Sequence, residues 1–338
     1  MPDRNTQMQR LVEYLVGYNA TRYIALGVEV GLFAALDRPG EGATSAELAA
    51  AQGWDATYTE HLLRAGYALE LLDCTDGRYR LAEHMAPALA RPESPGYLAS
   101  MAAFEHVCGR DFERMPALLR SGATYPYQDH DAEFIAGVAV VTHGIAAFVA
   151  GAVIPKLPGL AGRDDLHILD LGCGSGGAME ALARALPHAR ITGVDVEPRS
   201  VDAANARLTR AGLSDRAQAH LAAAETVDDD AQHDLVTLIQ VLHETRPAVR
   251  DTILQRAFAA LRPGGVLLVV DEPYPDRLED LRGAKNTAIT QALEIFWGNP
   301  FVPLGEQRAL LEGAGFAIHS QAVPPPGLIS VTVAGRPG

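Results

Sequence analysis

The chain has 338 residues and a mass of 36.0 kDa, enough for about two domains with ordinary cores. Its 28 lysines and arginines stand against 42 acids for a formal charge of −14, and only Lys156 and Lys285 are lysines, so a surface built for a phosphate backbone or an anionic membrane is not expected. Three cysteines, Cys74, Cys108 and Cys173, are too few and too dispersed for a disulfide framework or a tetrahedral zinc site. The opening MPDRNTQMQR also lacks an apolar signal segment, and both features point to the cytoplasm.

From residue 20 to 95 the text reads as three helices and a hairpin. YIALGVEVGLFAAL has helical apolar spacing, and Thr44 with Glu47 forms a T-x-x-E capping box ahead of SAELAAAQG. Asp55 can cap DATYTEHLLRAGYALELL, and Asp76-Gly77 marks a turn between two short strands. This is a winged-helix pattern, a module that often reads DNA. Residues 1–110, however, hold nine arginines, no lysine and 14 acids, a net −5 that is the wrong sign for nucleic acid. A packing or dimerising role is expected instead.

Residues 96–156 read as helical around the loop SGATYPYQDHD. Phe104, His106, Tyr125, Tyr127, Phe134 and His143 mix rings with polar tips that could line a pocket for a planar molecule. Residues 135–154 are long and apolar enough to span a bilayer. Thr142 and His143 at the centre and the lack of basic or aromatic flanks favour a buried helix instead. Glycines 137, 144 and 151 fall near one stripe, where another helix could approach.

After the link GLAGRDD the pattern alternates strand and helix, which predicts a parallel sheet with helices on both faces and a ligand at the carboxyl ends of its strands. HILDLGC runs into Gly172, Gly174, Gly176 and Gly177, a turn that glycines permit, followed at once by a helix whose free N–H groups suit an anion. Asp195 ends the next strand, 19 residues after Gly176, where its carboxylate can accept both hydroxyls of a ribose. A nucleoside-containing cofactor is implied. The G-x-G-x-x-G spacing of Gly172, Gly174 and Gly177 also admits a nicotinamide cofactor.

DLGCGSG after an apolar strand, an acid closing the second strand, DLVTLIQVLHE as the fourth and LRPGG before the fifth together resemble the class I S-adenosylmethionine-dependent methyltransferases. With the winged-helix front half and the helical middle, nearly the whole chain is similar to the small-molecule O-methyltransferases of plant phenolic and bacterial natural-product pathways. The resemblance implies that Asp170, Gly172, Gly174 and Gly176 hold the methionine part of S-adenosylmethionine, Asp195 the ribose, Val196 the adenine flank, and Gln240 a further cofactor contact. The family's usual acid near the adenine amino group is replaced by alanines in LAAAETVDD, leaving Glu225 or a backbone group to substitute. His243 matches the family's catalytic histidine, although H-D-W reads His243-Glu244-Thr245 here. Independently, a histidine with a pKa near 6.5 can take a phenolic proton at neutral pH.

Glu272 matches the family acid that orients that histidine, with Asp271 as its alternating neighbour. The family's third acid is missing after the next helix, where Trp297 to Phe301 offer no carboxylate, and no second histidine lies between His243 and His319 to hold a metal. Gln291, Glu294 and Trp297 recur at helical spacing and could face an acceptor, as could His143.

The expected architecture is α/β: a winged-helix dimerisation domain over 1–95, a helical linker over 96–160 contributing to the pocket, and a Rossmann-like seven-stranded domain over 161–338. The expected partners are a small-molecule acceptor and a second copy of the chain. The expected reaction moves a methyl group to a hydroxyl of a small aromatic metabolite, with His243 as base held by Glu272 or Glu244 and no metal. Methylation of carbon or nitrogen in a keto acid or amine is the alternative within the fold, and a DNA-binding regulator the alternative outside it.

Overall fold

The computed structural model describes residues 3–338 apart from 39, 41, 95 and 229 and the side chains of 141 and 143. The chain forms two compact units, one of residues 1–113 and 136–144, the other of 114–135 and 145–338. The segment 96–160 is divided between the units.

In the first unit, α1 (Arg4–Glu29) precedes α2 (Leu32–Leu36), α3 (Ser45–Gln52) and α4 (Ala56–Ala68), then the hairpin of β1 (Leu72–Thr75) and β2 (Arg78–Leu81), α5 (Met85–Leu89) and α6 (Ala99–Cys108). The caps read from sequence are present: Thr44 and Glu47 bond each other's backbone N–H, and Asp55 accepts from Thr57 and Tyr58. Leu32, Phe33, Leu48, Leu63 and Leu72 form the core. The first four turns of α1, which the sequence pattern did not mark, expose Met8, Leu11, Val12, Tyr14, Leu15, Val16 and Tyr18. These residues share one broad side of the helix, opposite Arg10 and Glu13, and they stand uncovered among the described residues.

Helix α7 (Met115–Ser121) belongs to the second unit, and α8 (Ala132–Phe148), continued by a π-helical turn over Val149–Val153, is divided between the two. The expected buried helix is only partly so: a quarter of its most apolar window is buried, chiefly at Phe134, Ala146, Val149 and Ala150. By length and composition it passes the test for a membrane span. Its glycine stripe is not a uniform contact either. A Cβ at Gly137 would meet the Phe104 ring at 2.9 Å, whereas one at Gly151 would meet nothing within 4 Å.

The second unit is built on a seven-stranded sheet. Its elements are β3 (His167–Leu171), α9 (Gly177–Ala185), β4 (Arg190–Asp195), α10 (Pro198–Arg210), β5 (Ala217–Leu221), β6 (His233–Ile239), α11 (Pro247–Ala260), β7 (Leu261–Asp271), α12 (Lys285–Glu294), α13 (Leu304–Gly313), β8 (Ala317–Ala322) and β9 (Ser330–Gly335). The strand order is β5-β4-β3-β6-β7-β9-β8, with β9 antiparallel to both its neighbours and the rest parallel. Strands β3 and β6 are apolar on both faces, as burial beneath two helical layers requires. The chain leaves β3 toward β4 and β5, then returns to place β6 on the other side of β3. That reversal opens a crevice at the carboxyl ends of β3 and β6. Strand β8 is exposed at most positions and gave no apolar run to read.

Candidate active site

The first wall of the crevice is the turn after β3. Gly172 and Gly176 have φ of +74° and +75°, and a Cβ there would lie 2.5 Å from Val241 Cγ2 or 2.9 Å from Ala204 Cβ, so glycine is required on both conformational and spatial grounds. Gly174, at φ +50°, has nothing within 4 Å of where its Cβ would stand, which leaves its backbone open to a ligand. The turn is locked to β4 because Gly172 N–H donates to Val194 O at 2.8 Å and Gly174 N–H to Asp195 Oδ2 at 2.8 Å. Asp195 Oδ1 accepts from Glu197 N–H at 2.9 Å. A carboxylate offers about four acceptor sites, so Asp195 keeps acceptor capacity toward the hydroxyls of a diol. Burial raises the Asp195 carboxyl, against the pull of these N–H groups. Val196 beside it is exposed, and Glu225 is half-buried in the single turn after β5.

Asp170 ends the apolar run of β3 and is fully buried. Its Oδ1 accepts from Thr237 Oγ1 on β6 at 2.6 Å, while Oδ2 has no partner. Burial lifts its carboxyl to about 7. Gln240, just past β6 with φ +58°, likewise has a buried, unpartnered Nε2. An unsatisfied buried polar group costs about 1–3 kcal/mol, so two of them beside a glycine turn fit a polar ligand that completes their bonds.

The second wall is made of titratable side chains. His243 is buried beyond the end of β6, and its Nδ1 bonds Asp271 Oδ1, the last residue of β7. Asp271 also accepts from His243 N–H at 3.2 Å and from Glu272 N–H at 2.8 Å. The carboxylate that holds the imidazole is thus Asp271, and neither Glu272 nor Glu244 bonds the ring. Strand alternation turns Asp271 toward the end of β6, and the chain leaves the sheet at Glu272. With Nδ1 engaged, Nε2 is left to face the crevice, and there Glu294 Oε2 stands 3.5 Å away. The carboxylate absent after the helix is supplied from the last residue of α12 itself. Burial opposes a charge on His243, but Asp271 and Glu294 outweigh it and hold the imidazole well above its ordinary value.

Two supports were not legible beforehand. Arg250 on α11 donates to Thr245 O at 3.1 Å and to Pro300 O at 2.7 Å, tying the loop after His243 to the loop after α12. The Phe301 ring meets His243 edge-on with centroids 5.2 Å apart. Gln291, expected to face an acceptor, spends its amide on this frame: Nε2 donates to Asn299 O and Oε1 accepts from Phe301 N–H. Trp297 is buried in an aromatic nest with Phe134, at 5.1 Å, and His130, at 5.6 Å. Tyr127 packs on Phe134 at 5.9 Å, and its hydroxyl reaches Ser200 beside the Asp195 wall. The side chain of His143 lies outside the described residues, so its expected role has no geometry here. Among the described residues no group of three or more histidine, cysteine or acidic side chains is arranged to hold a metal.

Comparison with known proteins agrees with this layout. Residues 168–265 match a methyltransferase domain family and residues 7–87 the O-methyltransferase dimerisation domain. A 3-hydroxy-5-methyl-1-naphthoate 3-O-methyltransferase of Streptomyces sahachiroi is 31% identical over 77% of this chain and 75% of its own length. Demethylspheroidene O-methyltransferase of Cereibacter sphaeroides is 30% identical over 66% of this chain, a match spanning 60% of that relative. The crystal structure of human N-acetylserotonin methyltransferase in complex with S-adenosylmethionine superposes with a TM-score of 0.72 over 100% of this chain and 99% of that one, at 21% identity.

Proposed function

Because the chain belongs to the O-methyltransferase family of S-adenosylmethionine-dependent enzymes, we propose that it transfers a methyl group to a hydroxyl of a small aromatic metabolite. The observation that carries this reading is the His243–Asp271 pair on one side of the crevice, facing a glycine turn that leaves Asp170 Oδ2 and Gln240 Nε2 unsatisfied on the other. Those orphaned atoms, together with the two cramped glycines, fit the cofactor. Asp170, Gly172, Gly174, Gly176 and Gln240 would hold its amino-acid part, Asp195 its ribose, and Val196 its adenine, with Glu225 in the turn after β5 as the candidate for the adenine edge. Bound there, the cofactor supplies a methyl group made electrophilic by a sulfonium.

His243 then serves as the general base. In the neutral form of the ring Asp271 fixes the proton on Nδ1, so the lone pair of Nε2 is left for the acceptor hydroxyl and takes its proton as the oxygen becomes nucleophilic. The carboxylates of Asp271 and Glu294 stabilise the imidazolium that results. Phe301, Trp297 and Arg250 keep the wall rigid, which holds the reacting oxygen in line. The dimerisation-domain match and the bare apolar turns of α1 support a homodimer built through that helix. Three free cysteines suit a cytoplasmic setting.

The test is calorimetry with S-adenosylhomocysteine followed by turnover on a panel of hydroxyarenes, with the site of methylation read by NMR. Binding of the nucleoside and an O-methyl product are expected. Methyl on carbon or nitrogen alone would replace the hydroxyl reading with its alternative in the same fold.

A further inference from the structure

Strand β6 runs Leu235-Val236-Thr237-Leu238-Ile239, and Thr237, fully buried, is the one polar residue in that apolar stretch. A valine has nearly the same shape and would bury there with no hydroxyl to satisfy, so the hydroxyl calls for a reason. The register of the sheet supplies it. Thr237 stands directly beside Asp170 of β3, and Gly193 of β4 stands on the other side. Of these two neighbours only Thr237 carries a side chain, and its Oγ1 donates to Asp170 Oδ1 at 2.6 Å in preference to Leu169 O at 3.4 Å. The atoms nearest the place of the missing Gly193 Cβ belong to Met179 and Cys173, and neither residue bonds the carboxylate. Asp170 is therefore held at one oxygen by one hydroxyl, while Oδ2 is buried at the carboxyl end of β3 without a partner.

We propose that Thr237 is a positioning residue of the donor site, holding Asp170 with Oδ2 toward the ligand so that the carboxylate pairs with the α-ammonium of the methionine part and disfavours nucleosides that lack it. This inference rests on the cofactor reading of the crevice and deepens it. S-adenosylmethionine has one group that is both cationic and an N–H donor, the α-ammonium. Its sulfonium has no proton to give, and its ribose hydroxyls and adenine amine are neutral. The other orphaned atom, Gln240 Nε2, is itself a donor and cannot take an ammonium. Burial and the like charge of Asp195 raise the Asp170 carboxyl, whereas the Thr237 bond lowers it, so the hydroxyl that aims the group also favours its charged form. The Cys173 thiol in the turn is pushed up by burial and brings no charge of its own.

Calorimetry on the full chain compares S-adenosylhomocysteine with its deaminated and its decarboxylated analogues. The unsubstituted chain is expected to bind the deaminated compound at least about tenfold more weakly than S-adenosylhomocysteine, the scale of a lost hydrogen bond between charged groups. In Thr237→Val, S-adenosylhomocysteine and the decarboxylated analogue both keep the ammonium and should weaken together by about fivefold or more. The deaminated compound should hold its affinity within about twofold. Thr237→Ser restores the hydroxyl and should restore the parent's preference. Asp170→Asn keeps an acceptor for Thr237 but turns an amide N–H toward the ammonium, and it should abolish the preference. A role confined to packing would weaken all three ligands by one factor in Thr237→Val, and that result overturns the proposal. A serine variant that behaves as the valine one, a preference that survives in Asp170→Asn, or an unsubstituted chain that binds both compounds equally also overturns it. No binding of S-adenosylhomocysteine overturns it together with the cofactor reading. Preferences as expected with no methylation of any hydroxyarene would uphold it and count against the O-methyl reading alone.

Discussion

The two walls of the crevice are made of different materials. The turn between β3 and α9 is built from backbone, with glycines at left-handed angles, N–H groups and one acid at the end of β4. The wall at the ends of β6 and β7 is built from ionisable side chains, with His243, Asp271 and Glu294 in contact and Glu244 and Glu272 near them. A backbone site must be rigid and shows its need for glycine at fixed positions. A side-chain site depends on which of two neighbouring residues points inward and on which helix returns to it. The first wall suits binding and the second suits proton transfer.

That division can be broken by moving function across it. His243→Ala should lower kcat by about 10²–10⁴-fold, the range for loss of a general base, while S-adenosylhomocysteine affinity by calorimetry stays within about threefold. A comparable loss of nucleoside affinity would mean that the two walls are not separable. Asp195→Ala should do the reverse. Two hydrogen bonds to a charged carboxylate, at about 1.5–3 kcal/mol each, are worth at least a tenfold rise in Kd, and kcat at saturating donor should change far less.

Within the backbone wall, Gly176→Ala must strain a positive φ and press against Ala204, whereas Gly174→Ala has only the strain. Thermal unfolding should show Gly176→Ala as the more destabilised, and Gly174→Ala should cost about 1 kcal/mol. Within the side-chain wall the sharpest small effect is on pH. The base works when His243 is neutral, so kcat/KM falls as pH drops through its pKa, and a raised pKa sets this acid limb above 6.5. Glu294→Gln removes a negative charge from the Nε2 side, lowers that pKa and should move the limb to lower pH. A limb that stays in place would show that Glu294 does not act on the imidazole.

What could be read in the sequence follows the same division. Asp170, the glycines and Asp195 were legible because an apolar strand emptying into glycines allows few geometries, and the strand-helix alternation predicted a parallel sheet, though not the order of its strands. Asp271 and Glu272 are adjacent, and the resemblance favoured Glu272, but only the pairing of β6 with β7 shows that the first faces the imidazole. Glu294 was marked for its helical spacing with Gln291 and Trp297, and only one of the three meets the histidine. The other two are spent on the frame, because a loop turning back over a buried site needs its own backbone bonds satisfied. Strand β8 and the first turns of α1 escaped notice because polar residues break up their apolar ones: three of the six strand residues are polar, and the helix opens on the mostly polar run RNTQMQR.

Those first turns of α1 carry a consequence for handling the protein. If Leu11, Leu15 and their neighbours find cover only against a second subunit, folding and association are one equilibrium, and the melting temperature is a function of protein concentration. Dilution alone would then loosen a helix remote in sequence from the crevice, and stock concentration becomes as much a part of the enzyme's definition as temperature.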